Sequence, residues 1–276
     1  MTAATDLDAV QRVVGAALAS LEASRRRIDD LNVYPVPDGD TGTNMTMTVR
    51  AVADAVEESS ASDRKSLARD IARGALMGAR GNSGVIFSQI VRGAADVLAE
   101  TTNGVDPRVA ALALRGATDA AYRAVRRPVE GTMLSVIREL AEEAESRVNG
   151  NGDAPLGDLL IDLVRRGEEA VARTPEQLAV LREAGVVDAG GAGLLELVRG
   201  VASAVSGEPV PEAPPAEEHL GIEAIHQELS RYRYCTVFLV EGERLDREQL
   251  EDELEKLGDS LLVVGDESAL KVHVHT

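Results

Sequence analysis

The chain has 276 residues, 44% hydrophobic and only 2% aromatic, with a formal net charge of −18. Its core must be built from Ala, Val, Leu and Ile, and Ala and Leu favour packed helices because they lose little side-chain freedom there. The acidic surface repels nucleic acid and anionic lipid and argues against both as partners.

One cysteine, Cys235, leaves no internal disulfide and fits a reducing, cytoplasmic setting. The N-terminus lacks the basic region and long apolar core of a signal peptide. Apolar runs fall far short of a membrane span, so no stable membrane insertion is expected.

In chain order, apolar residues recur at three and four up to about residue 206. This predicts helices near 6–28, 44–58, 63–79, 83–99, 107–125, 132–148, 156–172 and 192–205. SGEPVPEAPPAEEH, at 206–219, then sets four prolines among acidic residues and reads as a linker. Beyond it RYCTVFLVEG reads as a strand, DREQLEDELEKLG as a helix and SLLVVGDESALKVHVHT as two strands about a turn. The expected class is α+β. An all-α, eight-helix up-and-down barrel spans 1–206, a Pro/acidic linker 207–219, and a βαββ fragment 220–276. The fragment stops on a strand and reads as the start of a longer domain. His219 and His226, beside the linker, read as surface residues.

Short connections make successive helices antiparallel neighbours, so the second, fourth, sixth and eighth start at one end. The segments leading into them are DGDTGTN, GARGNSG, VEGTM and VVDAGGAG. Each holds glycine with Thr, Asn, Ser or Asp in capping range, and any one alone is ordinary capping. Together, four N-termini present free N–H groups and partial positive charge to one basin, a natural place for phosphate. Asp38 and Asp40 stand one residue apart before the second helix, with Pro35 and Pro37 stiffening their loop. Two like charges there call for a cation, and Mg²⁺ prefers such hard oxygen ligands. The P-loop, the dinucleotide-binding glycine motif and the protein-kinase set are absent, so a nucleotide site must be of another kind.

NVYPVPDGDTGTNM, GARGNSGVIFSQ, GTMLSV and VVDAGGAGL together resemble the nucleotide-binding, DhaL-like domain of the dihydroxyacetone kinase family. More closely, they resemble the FakA-like family of bacterial fatty acid kinases, in family order over roughly residues 10–205. The resemblance implies an eight-helix barrel holding ATP and two Mg²⁺ ions at one end. It makes Asp38 and Asp40 the metal-binding, catalytic aspartates. A third ligand, an aspartate in dihydroxyacetone kinase relatives, is matched by Asn32 with one extra residue of spacing. Asp29 and Asp30 stand nearby as substitutes. Thr41, Gly42, Thr43 and Asn44, with Asn82, Ser83 and Gly84, match positions around the phosphates. Thr132 and Met133 match the nucleoside-side loop, and Asp188 and Gly190 the loop that closes over the nucleotide.

The implied reaction moves the γ-phosphoryl of ATP to a fatty acid carboxylate, giving an acyl phosphate for phospholipid synthesis. The lipid is presented by a separate fatty-acid-binding protein of the FakB/DegV-like kind. A carboxylate is already ionised near pH 7, so no general base is needed. Catalysis then rests on positioning and on neutralising phosphate charge. The resemblance also implies a homodimer through the middle domain. The nucleotide-binding component of a dihydroxyacetone-type kinase is an alternative, although such chains end with the barrel. A non-catalytic nucleotide- or metal-dependent regulatory module is another, and Asp38 with Asp40 speaks against it.

His273 and His275 are two apart on a predicted strand and share a face. With Cys235 on a neighbouring strand they form a set suited to Zn²⁺. By spacing alone, a buried cysteine and two partly exposed histidines is the simpler reading. The resemblance favours zinc, because FakA-like middle domains match at these positions.

Overall fold

The computed structural model describes residues 3–150, 154–207 and 234–276. Eight long helices lie among them before residue 208: α1 (Ala3–Asp30), α2 (Thr41–Glu57), α3 (Arg64–Gly78), α4 (Gly81–Ala99), α5 (Pro107–Ala124), α6 (Met133–Gly150), α7 (Leu156–Ala172) and α10 (Ala189–Ser206). Local chemistry sets their ends. Asp63, Asp106 and Asp188 cap α3, α5 and α10 by accepting the N–H of Ser66, Val109 and Gly191. Pro107 sits in the first turn of α5, where its missing N–H costs nothing. Gly207 ends α10 in the left-handed conformation.

Neighbouring helices pack in ring order from α1 through α7 to α10, and α10 closes back on α1. Leu21, Ile28, Met45, Ile137, Leu140 and Leu163 are fully buried in the barrel's core. Small residues let the helices approach closely. A Cβ on Gly93 of α4 would meet the Gly116 carbonyl oxygen of α5 at 2.2 Å.

Besides α1, which starts at Ala3, three helix starts fall earlier than expected: α2 at Thr41, α4 at Gly81 and α10 at Ala189. The expected bounds left Gly42, Gly81 and Gly191 outside these helices. They instead lie in the first turns of the helices, each close against a neighbouring element: an added Cβ would come within 2.3 Å of the Arg25 carbonyl oxygen, 2.3 Å of Asn44 and 2.8 Å of Val136 respectively. Two short helices, α8 (Thr174–Gln177) and α9 (Ala179–Ala184), fill the connection from α7 to α10. Each is too brief to leave a helical period in the sequence. The expected linker from 208 onward, with His219 and His226, lies outside the described residues.

After residue 233 come β1 (Cys235–Glu241), α11 (Arg247–Leu254), β2 (Asp259–Asp266) and β3 (Ala269–His275). The sheet is antiparallel in the order β1-β3-β2, with Cys235 opposite His275 and Leu262 opposite His273. Alternation divides its faces. Val263, Leu270 and Val272 pack with Leu250 and Leu254 of α11. Leu262 and Val264 meet Ala79, Val85 and Ala124 of the barrel. Lys271 donates to the Met77 carbonyl at 3.1 Å, and Arg247 to the Arg123 carbonyl at 3.3 Å. Among the described residues no helix is long and apolar enough to cross a membrane.

Candidate nucleotide and metal site

The α1–α2 loop is organised by Asn32, which is buried. Its Nδ2 donates to the Val36 carbonyl and to Asp38 Oδ1, both at 2.8 Å, and its Oδ1 accepts from the Thr41 hydroxyl. The Val36 carbonyl can only accept, so the amide nitrogen must face it and Asp38. Asn32 thus presents a donor to Asp38, and its oxygen is engaged by Thr41. Asp29 is engaged too, accepting from the Thr43 backbone N–H and hydroxyl at 2.8 Å each. Asp30 is exposed.

Gly39 makes the turn between the two aspartates with φ +67°, a conformation open to glycine at little cost. Asp40 is the N-cap residue of α2 but its side chain makes no capping bond. It lies within hydrogen-bonding reach of Asp38 instead. Partial withdrawal from water, and then the neighbouring Asp40 charge, raise the Asp38 carboxyl to about 6. Two crowded carboxylates of this kind fit a divalent cation with a preference for oxygen.

The other helix starts converge on the same place. Asn44 lies against Gly81, where an added Cβ would come within 2.3 Å of Asn44 Nδ2. Asn82 and Ser83 follow, and Asn82 Oδ1 is buried with no hydrogen-bond partner in the structure. Thr132 donates to the Val129 carbonyl at 2.7 Å and accepts from the Leu134 N–H at 3.3 Å, which shapes the start of α6. Asp188 accepts from the Gly191 N–H at 2.7 Å and from the Met133 N–H, tying α10 to α6. Its own N–H donates to the Thr174 hydroxyl at 3.0 Å. Burial raises its carboxyl to about 6.

These elements wall a cleft of about 530 Å³. Asn32, Asp38, Asp40, Thr41, Asn44, Asn82, Ser83, Thr132, Met133, Asp188 and Gly190 all line it. Gly42, Thr43 and Gly84 do not. Gly42 is turned to α1, Thr43 to Asp29, and Gly84 to the Thr48 hydroxyl.

The opposite wall is the sheet, which contributes Cys235, His273 and His275. Cys235 Sγ is 3.6 Å from His273 Nδ1, and the two histidine Nε2 atoms are 3.1 Å apart. One ligand atom from each residue lies within 4.8 Å of the others. Burial, then the His275 ring, pushes His273 down to about 3, so its imidazole is neutral and able to ligate near pH 7. Withdrawal from water and the charges of Asp38 and Asp40 raise the Cys235 thiol. The two acidic residues and the soft ligands thus share one electrostatic environment. The alternative of a buried cysteine with partly exposed histidines is reversed, since Cys235 is exposed and both histidines are buried. Tyr34, Arg126, Arg127 and Glu255 also line the cleft and escaped the sequence reading. The Arg-Arg-Pro run before VEGTM was the visible trace of the two arginines, and Tyr34 lies within NVYPVPDGDTGTNM.

Residues 35–203 match the DAK2 domain family, and residues 231–276 match the middle domain of FakA-like fatty acid kinase proteins. The chain belongs to the DAK2 domain family. Uncharacterized proteins of Staphylococcus aureus (strain bovine RF122 / ET3-1) and Staphylococcus saprophyticus are both 39% identical to it, covering 90% of this chain and 47% of the relatives. The chain therefore spans about half the length of the curated relatives it matches. Among solved structures, the dihydroxyacetone kinase from C. freundii in complex with AMP-PNP and Mg²⁺ superposes with a TM-score of 0.52 at 18% identity, over 71% of this chain and 33% of that one. Its native form gives 0.51 at 19% identity, over 71% and 34%. These likenesses carry the helical fold. A DAK2 domain joined to a FakA-like middle domain marks a kinase-related protein.

Proposed function

We propose that this chain is the ATP-binding part of a fatty acid kinase. It transfers the γ-phosphoryl of ATP to the carboxylate of a fatty acid held on a separate FakB/DegV-like protein, and the product is an acyl phosphate. The barrel over 1–206 binds the nucleotide, 207–219 is a linker, and 220–276 begins the middle domain. The observation that carries this reading is the crowded Asp38–Asp40 pair in a cleft where four helix starts meet, walled on one side by the FakA-like sheet.

When bound, Mg²⁺ neutralises charge on the transferring phosphoryl group. Asp38 and Asp40 would hold it. Asn32 positions Asp38 through its amide N–H, a supporting role beside the ligand role that the family position suggests. The first turns of α2, α4 and α6 offer backbone N–H groups to phosphate. Asp188 holds α6 and α10 in register around the nucleotide. Cys235, His273 and His275 would hold Zn²⁺ against the same cleft, with a fourth position left for water or substrate.

The test is phosphoryl transfer by the full-length protein. Mg·ATP and an oleate-loaded carrier should yield acyl phosphate, trapped by hydroxylamine as the hydroxamate and lost in Asp38→Asn/Asp40→Asn. Transfer to dihydroxyacetone with none to oleate would overturn the acceptor assignment.

A further inference from the structure

The cleft is lined by the acidic residues Asp38, Asp40, Asp188 and Glu255, but only Arg126 and Arg127 bring it permanent positive charge among the described lining residues. Both stand on the α5–α6 connection, just after the end of α5. The fold does not consume them, for their side chains are 45% and 85% exposed. They are met from across the mouth by α11 and the residue after it. Arg126 reaches Asp252 at 3.1 Å and Glu255 at 3.2 Å, and Arg127 reaches Glu255 at 3.0 Å. Exposed ion pairs contribute little to stability, so exchanging these acids for another anion costs little. A guanidinium fork suits carboxylate and phosphate alike.

We propose that Arg126 and Arg127 are the anion-binding side chains at the mouth of this cleft, and that Asp252 and Glu255 are built-in competitors that pair with them until the anion binds. The anion is a phosphate or a carboxylate of the ligand. This rests on the phosphotransferase reading of the cleft and adds its permanent cationic contact.

Calorimetric titration with two probes tests it: Mg·tripolyphosphate for a phosphate and octanoate for a carboxylate. Arg126→Ala/Arg127→Ala should weaken one probe at least fivefold. Asp252→Asn/Glu255→Gln should tighten the same probe about threefold, and the probe that responds identifies the anion. A clasp that only holds the sheet on the barrel would be loosened by both variants, shifting affinity in one direction. That result overturns the proposal, as does no change in either variant or no binding of either probe to the wild type. The phosphotransferase reading is separable, since Mg·ATP binding that depends on Asp38 and Asp40 stands whatever the arginine variants do.

Discussion

Asp188 shows how much one side chain can hold. Its carboxylate receives N–H groups from the first turns of α6 and α10, yet burial raises its pKa to about 6. A carboxyl whose folded pKa lies above its unfolded value binds more protons in the native state, so its contribution to stability falls as pH rises between the two values. For Asp188 that window runs from about 4 to about 6. In urea denaturation, Asp188→Asn should therefore gain on the wild type across that window, by roughly 2–3 kcal/mol, and hold level above it. The slope is the test, and parallel curves would contradict the assignment. The Cys235, His273 and His275 set makes a second residue-scale prediction. Protein purified with zinc should carry one ion per chain by elemental analysis, and His273→Ala/His275→Ala should carry none. Equal zinc in both would place the metal elsewhere.

At the scale of elements, glycine separates two roles that look alike in sequence. Gly15 in α1 has nothing within 4 Å of an added Cβ, whereas Gly93 in α4 meets the Gly116 carbonyl oxygen at 2.2 Å. Gly15→Ala should stabilise by about 0.5–1 kcal/mol through helix propensity. Gly93→Ala should destabilise by about 1–3 kcal/mol through overpacking. Chemical denaturation of the two variants should give opposite signs. The same distinction sets what was legible. Apolar recurrence at three and four announced all eight long helices, and short apolar, valine-rich runs about a turn announced the three strands. The helix starts were misplaced where glycines serve close packing, because contact with a neighbouring helix overrides propensity. Gly42 and Gly84 stand in the glycine-bearing motifs yet face α1 and Thr48. A spacing pattern does not record which way a residue is turned.

Across the whole molecule, the sheet docks on the barrel and makes the cleft two-sided. No periodicity could have revealed this, for its contacts join residues far apart in the chain, such as Lys271 with Met77 and Arg126 with Asp252. The Asp38–Asp40 pair, by contrast, was readable from its loop alone, because two adjacent like charges before a helix start need a counter-ion wherever the rest of the chain lies. The account depends on that pair binding a metal-bound nucleotide. The most direct measurement is calorimetric titration of ATP into the folded chain, with and without Mg²⁺, for the wild type and Asp38→Ala/Asp40→Ala. The account predicts Mg²⁺-dependent binding to the wild type and at least a hundredfold loss in the double variant. Equal ATP affinity in the two proteins, or binding indifferent to Mg²⁺, would contradict it.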